Sequence, residues 1–370
     1  MADVARLAKV SLSTVSRVIN RRAVVNKATL ARVETAIQEL GYQPNAFARG
    51  LMLRRSEILG LVLPDLHGEF YSEIIRGANL QARELGYSLI ISSTRDGNDS
   101  QSLLTGTRLR SLLDGVAIMV SEMTDRVQTL LADSPIPYVL LDDDIEGTPH
   151  DSVVIDQHQG AMAMMRHLVD HCDVRRVIFV GGLATNFDTS ARLEAYRQVL
   201  HEKGMTVGPD DIHFLNYEYD TAFDLGLQRA RDWAGACVFA ANDEMAAGII
   251  AAALASGLAV PQDLAVVGFD DTRISRMVRP ALTTVRVPMF DLGAKAVGLL
   301  CQRIAEPARQ PTQVCLHPEL VVRESCGCKG RAPEPTDRCQ NRDPAVAFSN
   351  LPAKPLPGPE ARHPSRSGPP

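Results

Sequence analysis

Catalytic signatures are what this chain of 370 residues lacks most plainly. It has no H-E-x-x-H pair to hold a metal-bound water, no P-loop, no G-x-S-x-G elbow and no G-x-G-x-x-G between a strand and a helix. Gly181-Gly182 on its own reads as a close-packed strand end. A hydrolase or dehydrogenase is thereby set aside, and no catalytic residue is assigned. No apolar run is long enough to cross a membrane and no secretory signal is recognisable, so a cytoplasmic protein without a membrane partner is expected. The seven cysteines (Cys172, Cys237, Cys301, Cys315, Cys326, Cys328, Cys339) lack paired C-x-x-C spacing. Reduced thiols follow, with no metal and no cofactor expected, and Cys326-Gly-Cys328 is the one short pair a metal would use.

Charge is present but unevenly spread. From Met1 to Arg55 there are ten Lys/Arg against three acids, a local +7 inside a chain of net −5. Residues 56–326 carry 22 Lys/Arg against 37 Asp/Glu. A compact cationic head gains affinity for nucleic acid by releasing condensed counterions, which an acidic body does not. Charge alone would equally suit a solvated helical surface, so the order of residues within the head has to decide.

Asp3 to Ala8 reads as a short helix, Lys9-Val10-Ser11 as a turn, and Ser11 as the N-cap of a second helix. In that second helix Val15, Val18 and Ile19 recur at helical spacing and pack, while Leu12, Ser13, Ser16, Arg17 and Asn20 face away. A third helix is expected from its cap Asn26, with Leu30, Val33, Ile37 and Leu40 on one stripe and Gly41 as the residue that ends it. Three short amphipathic helices then share one core. A helix entering the DNA major groove needs short polar side chains near its start and an arginine able to fork onto a base edge, which Ser13, Thr14, Ser16 and Arg17 supply. After Gly41-Tyr42-Gln43-Pro44, the stretch Ala46 to Leu53 is about two turns long and contains Gly50, so it forms a helix only when something holds it.

The body alternates strand-like and helical runs. Apolar strands are expected near Leu59–Leu63, Ser88–Ser92, Gly115–Val120, Tyr138–Leu141, Val153–Ile155, Val177–Val180, Val238–Ala241 and Leu264–Phe269. Helices are expected at Tyr71–Leu85, Gly160–Val169, Arg192–Lys203 and Met245–Ser256. Continuous apolar strands with helical crossovers mean parallel sheet covered on both faces, and about 270 residues is enough for two doubly wound subdomains with a cleft between them. Ligands bind beyond the carboxyl ends of such strands, where Asp65, Asp142, Asn242-Asp243 and Asp270-Asp271 fall. Phe70, Tyr71, Phe187 and Tyr217 offer faces for a sugar or a base. Asp243 and Asp271 also read as caps of the next helix. Met245 to Leu254 is apolar all round, which places it near a two-fold interface or between sheet and partner. After Cys326 ten of the 22 prolines crowd the last residues, so a disordered tail is expected, without leucine heptads to join dimers.

The runs DVARLAKVSLSTVSRVIN (3–20), GYQPNAFARGL (41–51), ILGLVLPD (58–65), VFAAND (238–243), VGFDD (267–271), PALTT (280–284) and ELVVRE (319–324) together resemble the lactose/galactose-repressor (LacI/GalR) family of bacterial transcriptional regulators, over roughly residues 1 to 326. The resemblance implies that Leu12, Ser13 and Arg17 read bases. It also implies that two copies of the hinge pair in the minor groove, with Leu51 as an apolar wedge. The full DNA-contacting set is expected to be Leu12, Ser13, Thr14, Ser16, Arg17, Asn20, Asn26, Ala48 and Leu51. Phe70, Tyr71, Arg192, Asn242 and Asp270 fall on the family's effector positions. Two features of the head depart from the pattern: the first helix lacks its threonine cap, and Lys9 stands where glycine or asparagine is usual. Val287 stands where some members have glutamine.

The expected fold is thus an N-terminal all-α helix-turn-helix domain (1–43) and a hinge helix and linker (44–55), followed by a periplasmic-binding-protein-like α/β core (56–326). The core divides into subdomains of about 56–157 plus 288–315 and 158–287 plus 316–326, and a proline-rich tail (327–370) follows. The expected function is that of a nucleoid-associated homodimeric repressor of a catabolic operon, binding a pseudo-palindromic double-stranded operator under control of a sugar-like effector. A purine- or nucleoside-responsive co-repressor form is the alternative, and a small-molecule binder without sequence-specific regulation stands behind it.

Overall fold

A computed structural model of the chain describes residues 1–19, 25–42, 55–94, 112–120, 125–132, 134, 136–142 and 149–328. The expectations placed on Asn20, Ala48, Leu51, the hinge helix and the tail beyond Cys328 lie outside these residues.

The head is three helices, α1 (Ala2–Leu7), α2 (Leu12–Ile19) and α3 (Lys27–Glu39). Their shared core is Val4, Ala5, Ala8, Val15, Val33 and Ala36. The expected stripe on α3 is shifted: Val33 and Ala36 are buried, whereas Leu40 at the C-cap is exposed. The Ser11 hydroxyl accepts from the Thr14 amide at 3.2 Å, and Asn26 Oδ1 accepts from the Thr29 amide at 2.8 Å, so both expected caps form. Helix α1 has Met1 at its cap with no side-chain hydrogen bond. Gly41 ends α3 at φ +54°. Lys9 turns between α1 and α2 at φ +52°, a left-handed conformation that costs a residue with a Cβ on the order of 1 kcal/mol.

In the core, β1 (Ile58–Leu63), α4 (Gly68–Glu84), β2 (Ser88–Ser93), β3 (Gly115–Ile118), α5 (Asp125–Ala132), β4 (Tyr138–Leu141) and β5 (Asp151–Ile155) come first. Then come α6 (Gln157–His171), β6 (Val177–Gly181), α7 (Phe187–Glu202), β7 (Ile212–Phe214), α8 (Tyr219–Arg229), β8 (Cys237–Ala240), α9 (Asp243–Ala255) and β9 (Ala265–Val267). The chain returns through α10 (Ile274–Met277), β10 (Thr284–Arg286), α11 (Met289–Ala305), β11 (Gln313–Leu316) and β12 (Glu319–Val321). The parallel strands form a six-stranded sheet in the order β11-β5-β4-β3-β1-β2 and a four-stranded sheet in the order β7-β6-β8-β9, while β10 and β12 pair antiparallel. Strand β11 joins the first sheet beside β5, so the chain returns there after building the second. Strands such as β3, β6 and β8 are buried along their whole length, as expected for parallel strands covered on both faces. Where α4 crosses α11, Gly77 and Gly293 let backbone meet backbone: a Cβ on Gly77 would lie 1.9 Å from the Phe290 carbonyl oxygen.

Several elements were not legible as such in sequence, namely β7, β10, β11, β12, α5, α8, α10 and α11. The four strands are three or four residues long and partly exposed, so they present no continuous apolar run. Helix α9, expected near a two-fold interface or between sheet and partner, is packed on one side by α8 of the same chain, while Leu254 stays 51% exposed. There the position of a Gly248 Cβ lies 2.5 Å from the Tyr219 carbonyl and that of a Gly226 Cβ 2.6 Å from Ala252. Among the described residues no helix is long and apolar enough to cross a membrane.

Candidate DNA-reading face and ligand cleft

Helix α2 turns Val15 into the head's core and leaves Leu12, Ser13 and Arg17 exposed, with Leu12 54% accessible. An exposed leucine at the first position of a helix has no packing role, which suits contact with a base methyl or groove wall. The Ser11 hydroxyl lies 2.8 Å from the Ser13 hydroxyl and 2.9 Å from that of Thr14, so the cap also orients two of the expected base-facing groups. Thr14 and Ser16 are half-buried at the edge of the same face. Asn26 stands apart from these: it caps α3, its Oδ1 already engaged.

The second site is a cleft of about 720 Å³ built at the carboxyl ends of the strands. Asp65 follows β1, Asp142 follows β4, Asn242 follows β8 and Asp270 follows β9, and all four line it. Phe70 and Tyr71, in the first turn of α4, stand on its wall as an edge-on pair with ring centres 5.2 Å apart. Phe187, at the start of α7, is 56% exposed beside them. Three lining residues other than glycine hold left-handed backbone, Asp142 at φ +54°, Tyr217 at +68° and Asp270 at +107°. Such strain costs about 1–3 kcal/mol per residue and persists where the surroundings enforce it, as at ligand sites.

Arg192, on α7, is 2% accessible and is held by neighbouring protein groups while still lining the cleft. Its Nε and Nη2 donate to Gln157 Oε1 at 3.1 and 2.8 Å, and Nη1 donates to the Ala241 carbonyl. Its guanidinium lies 3.9 Å above the centre of the Phe269 ring, and Asp188 Oδ2 is 3.8 Å away. Gln157 in turn donates to Asp142 Oδ2 at 2.9 Å, and Asp142 Oδ1 accepts from the Ile155 amide at 2.9 Å. The result is a buried polar chain, Asp142–Gln157–Arg192, at the back of the cleft. Burial, then the nearby Asp188, pushes the Asp142 carboxyl well above its ordinary value, against the pull of Arg192 and the two hydrogen bonds. Asp188 is raised too, by burial, with Arg192 opposing.

Asp270 is the side chain left open. It is 7% accessible and its Oδ1 has no hydrogen-bond partner. Burial raises its pKa from 3.8 to about 7, with Arg192 opposing and Asp188 and Glu244 adding to the rise. Eight lining residues are Asp or Glu against a single arginine, which already donates to Gln157 and the Ala241 carbonyl. A cleft so rich in carboxyl acceptors suits a ligand that brings hydroxyl donors.

The other expected residues divide. Asn242 does line the cleft, but it rather than Asp243 caps α9: Oδ1 accepts from the Met245 amide at 2.9 Å while Nδ2 donates to the Tyr217 carbonyl at 3.0 Å. Asp243 lies behind it, buried, accepting from Thr272 and from the Thr284 hydroxyl at 2.6 Å. Asp271 caps no helix. Its carboxylate is gripped by Arg323, Arg286 and Arg276; burial would raise its pKa, but the Arg323 and Arg286 hydrogen bonds hold it below the ordinary value. Val287 is a buried core residue. Sequence reasoning missed Gln157 and Asp188, which sit in first turns of helices and carry no strand-end signal. It also missed why Gly182 matters: a Cβ there would fall 2.0 Å from the Tyr217 ring, whose hydroxyl donates to Asn186 at 2.8 Å.

The structure is a three-helix head with a polar outer face on α2 and a two-sheet core with a cleft, and the chain's likenesses agree with it. A family described as "Bacterial regulatory proteins, lacI family" matches residues 1–45, and a "Periplasmic binding protein-like domain" matches residues 165–326. Catabolite control protein A of Priestia megaterium is 36% identical over 326 residues, 87% of this chain and 98% of that one. The chain belongs to the lacI family of bacterial regulatory proteins. This lacI-family chain is also similar to a solved complex of the transcriptional regulator CelR with cellobiose (TM-score 0.67, 31% identity, 87% of this chain and 98% of that one). A lac repressor dimer bound to operator and the anti-inducer ONPF superposes with TM-score 0.79 at 27% identity, over 88% of this chain and 98% of that one. The lacI-family chain is a DNA-binding transcriptional regulator and not an enzyme.

Proposed function

We propose that this regulator is a homodimeric, cytoplasmic and nucleoid-associated repressor of a catabolic operon, released from or held on a pseudo-palindromic operator by an uncharged, sugar-like polyol bound in the cleft. One observation carries the ligand class: Asp270 Oδ1 is buried and unpartnered in a cleft whose carboxyl groups outnumber its single arginine, itself already tied to Gln157 and Ala241. A buried acceptor without a donor costs about 1–3 kcal/mol, which a ligand hydroxyl relieves. Arg192 is thereby a positioning residue rather than an anion receptor, so phosphosugars and sugar acids are disfavoured. The lac repressor complex, a dimer on operator, and the CelR–cellobiose complex support the assembly and the ligand class. Leu12, Ser13, Thr14, Ser16 and Arg17 read the operator, with Asn20, Asn26, Ala48 and Leu51 completing the contact. The edge-on Phe70–Tyr71 pair favours one second reading, a stacked nucleobase. Calorimetric titration of the full chain with neutral sugars, sugar acids, phosphosugars and nucleosides separates these, followed by operator gel-shift with each binder. Binding confined to anionic sugars or nucleosides would overturn the neutral-polyol assignment.

A further inference from the structure

A second group of chemistry-bearing side chains lies away from the cleft, at the far end of α6. His167 is 2% accessible, Cys326 is 3% accessible, and Cys172 is the half-buried C-cap of the helix. The His167 Nε2 lies 3.3 Å from Cys172 Sγ and 3.5 Å from Cys326 Sγ. The three ligand atoms all fall within 4.8 Å of one another. A nitrogen and a sulfur bound to tetrahedral zinc, at about 2.0–2.1 and 2.3 Å, stand about 3.6 Å apart, close to the 3.3 and 3.5 Å found here. Cys328 Sγ, 3.6 Å from the His171 carbonyl, also reaches Cys172. The opposite ring nitrogen of His167, Nδ1, is buried without a partner. The ring's polar contacts among the described residues are thus the two sulfurs alone.

We propose that His167, Cys172 and Cys326, with Cys328 as fourth ligand, form a site for a thiolate-loving divalent cation of the zinc class. Imidazole and thiolate donors select zinc over magnesium or calcium. The expectation of no metal site is revised here because 159 residues separate His167 from Cys326 in sequence. Coordination occurs through Nε2 and deprotonated sulfurs, and the thiol protons pass to solvent on binding. The ion would tie the end of α6 to the segment by which the chain leaves the core. That segment is already pinned by Ser325, whose hydroxyl donates to the Val266 carbonyl and accepts from the Thr283 amide at 2.9 Å.

The test uses the full chain, reduced and stripped with chelator, titrated with Co²⁺ and then Zn²⁺ alone. One Co²⁺ per chain, with a sulfur-to-cobalt charge-transfer band and tetrahedral visible bands displaced by Zn²⁺, is expected, together with a higher melting temperature in Zn²⁺. The half-exposed Cys172→Ser should abolish the tetrahedral spectrum while leaving a cooperative melt, Cys328→Ser should weaken the charge-transfer band, and Cys315→Ser, at the exposed Asp156–His317 group, should leave it unchanged. The proposal is overturned if the reduced chain binds no Co²⁺, if Cys172→Ser keeps the full spectrum, or if Cys172 and Cys326 simply oxidise to a disulfide with no metal binding in the reduced form.

Discussion

Asp270→Asn isolates the energetic consequence of an open carboxyl at the back of the cleft. The folded chain holds this group near pKa 7 against 3.8 in the unfolded chain, chiefly by burial. Between those values the native state keeps a proton the unfolded state has lost. The stability this group contributes is therefore complete below the unfolded value and lost as pH rises through about 7. Each unit is worth about 1.36 kcal/mol, so going from about pH 5 to about pH 8 costs the native state roughly 2–3 kcal/mol through this residue. Asparagine keeps the shape and cannot ionise. Relative to the wild type, Asp270→Asn should gain roughly 2–3 kcal/mol over that interval, by urea unfolding of the ligand-free chain at each pH. Asp142, Asp188 and Asp243 are also raised by burial, but they are common to both chains, so to first order their contributions cancel in the difference. A difference that does not change with pH would refute the argument that Asp270 is buried, unpaired and protonated near neutrality. A ligand hydroxyl donated to Oδ1 lowers the folded pKa, so ligand affinity should rise with pH through the same range in wild type and stay flat in the asparagine variant.

Gly182→Ala should displace the Tyr217 ring, which a Cβ would meet at 2.0 Å, and weaken ligand binding at least tenfold in calorimetry while the DNA affinity of the ligand-free protein is unchanged. Arg17→Ala should cut discrimination between operator and random DNA by about 1–3 kcal/mol in competition gel-shifts; equal weakening on both sequences would reduce Arg17 to a phosphate contact. Asp271→Ala strands Arg323 beside a buried vacancy and should destabilise the core by about 3–5 kcal/mol in denaturant, with the loss of the wild-type advantage appearing in acid as pH falls through the depressed folded value. Glu69→Ala removes a contact across the mouth of the cleft, where Glu69 Oε2 accepts from the Arg273 amide at 2.7 Å, and should speed ligand release in stopped-flow more than it slows capture.

What was legible in sequence follows from periodicity. Continuous apolar runs ending in a polar residue marked Asp65, Asp142, Asn242 and Asp270 as strand-end groups, and the structure gathers all four around one cleft. The head was legible for a similar reason: Ser11 and Asn26 announce helix starts, and both cap as their chemistry requires. Roles within the cleft were less legible. Arg192 stands at an expected effector position and lines the cleft, yet the structure also ties it and Asp142 to Gln157, a residue whose place in the first turn of α6 no local pattern distinguishes. The apolar girth of α9 was visible, but sequence does not tell whether α8 of the same chain or a second chain covers it. Partners distant in sequence, such as His167 and Cys326, are brought together only by the return of the chain to the core after β12.

The buried polar chain also constrains how a ligand can act at a distance. Asp142 ends a strand of the six-stranded sheet, Arg192 rides on a helix beside the four-stranded one, and Gln157 joins them one residue after the chain leaves the first sheet at Asp156. Breaking that link strands a buried carboxyl and a buried guanidinium at once, at several kcal/mol, far more than a single ligand hydroxyl supplies. The back of the cleft is therefore costly to separate. The mouth is held by Glu69 and Arg273, a partly solvated contact worth about 1 kcal/mol or less, and opens at small cost. A ligand that fills the Asp270 acceptor at the back while touching Phe70 and Tyr71 on α4 gains most when the mouth is shut, which is the differential affinity that closure requires.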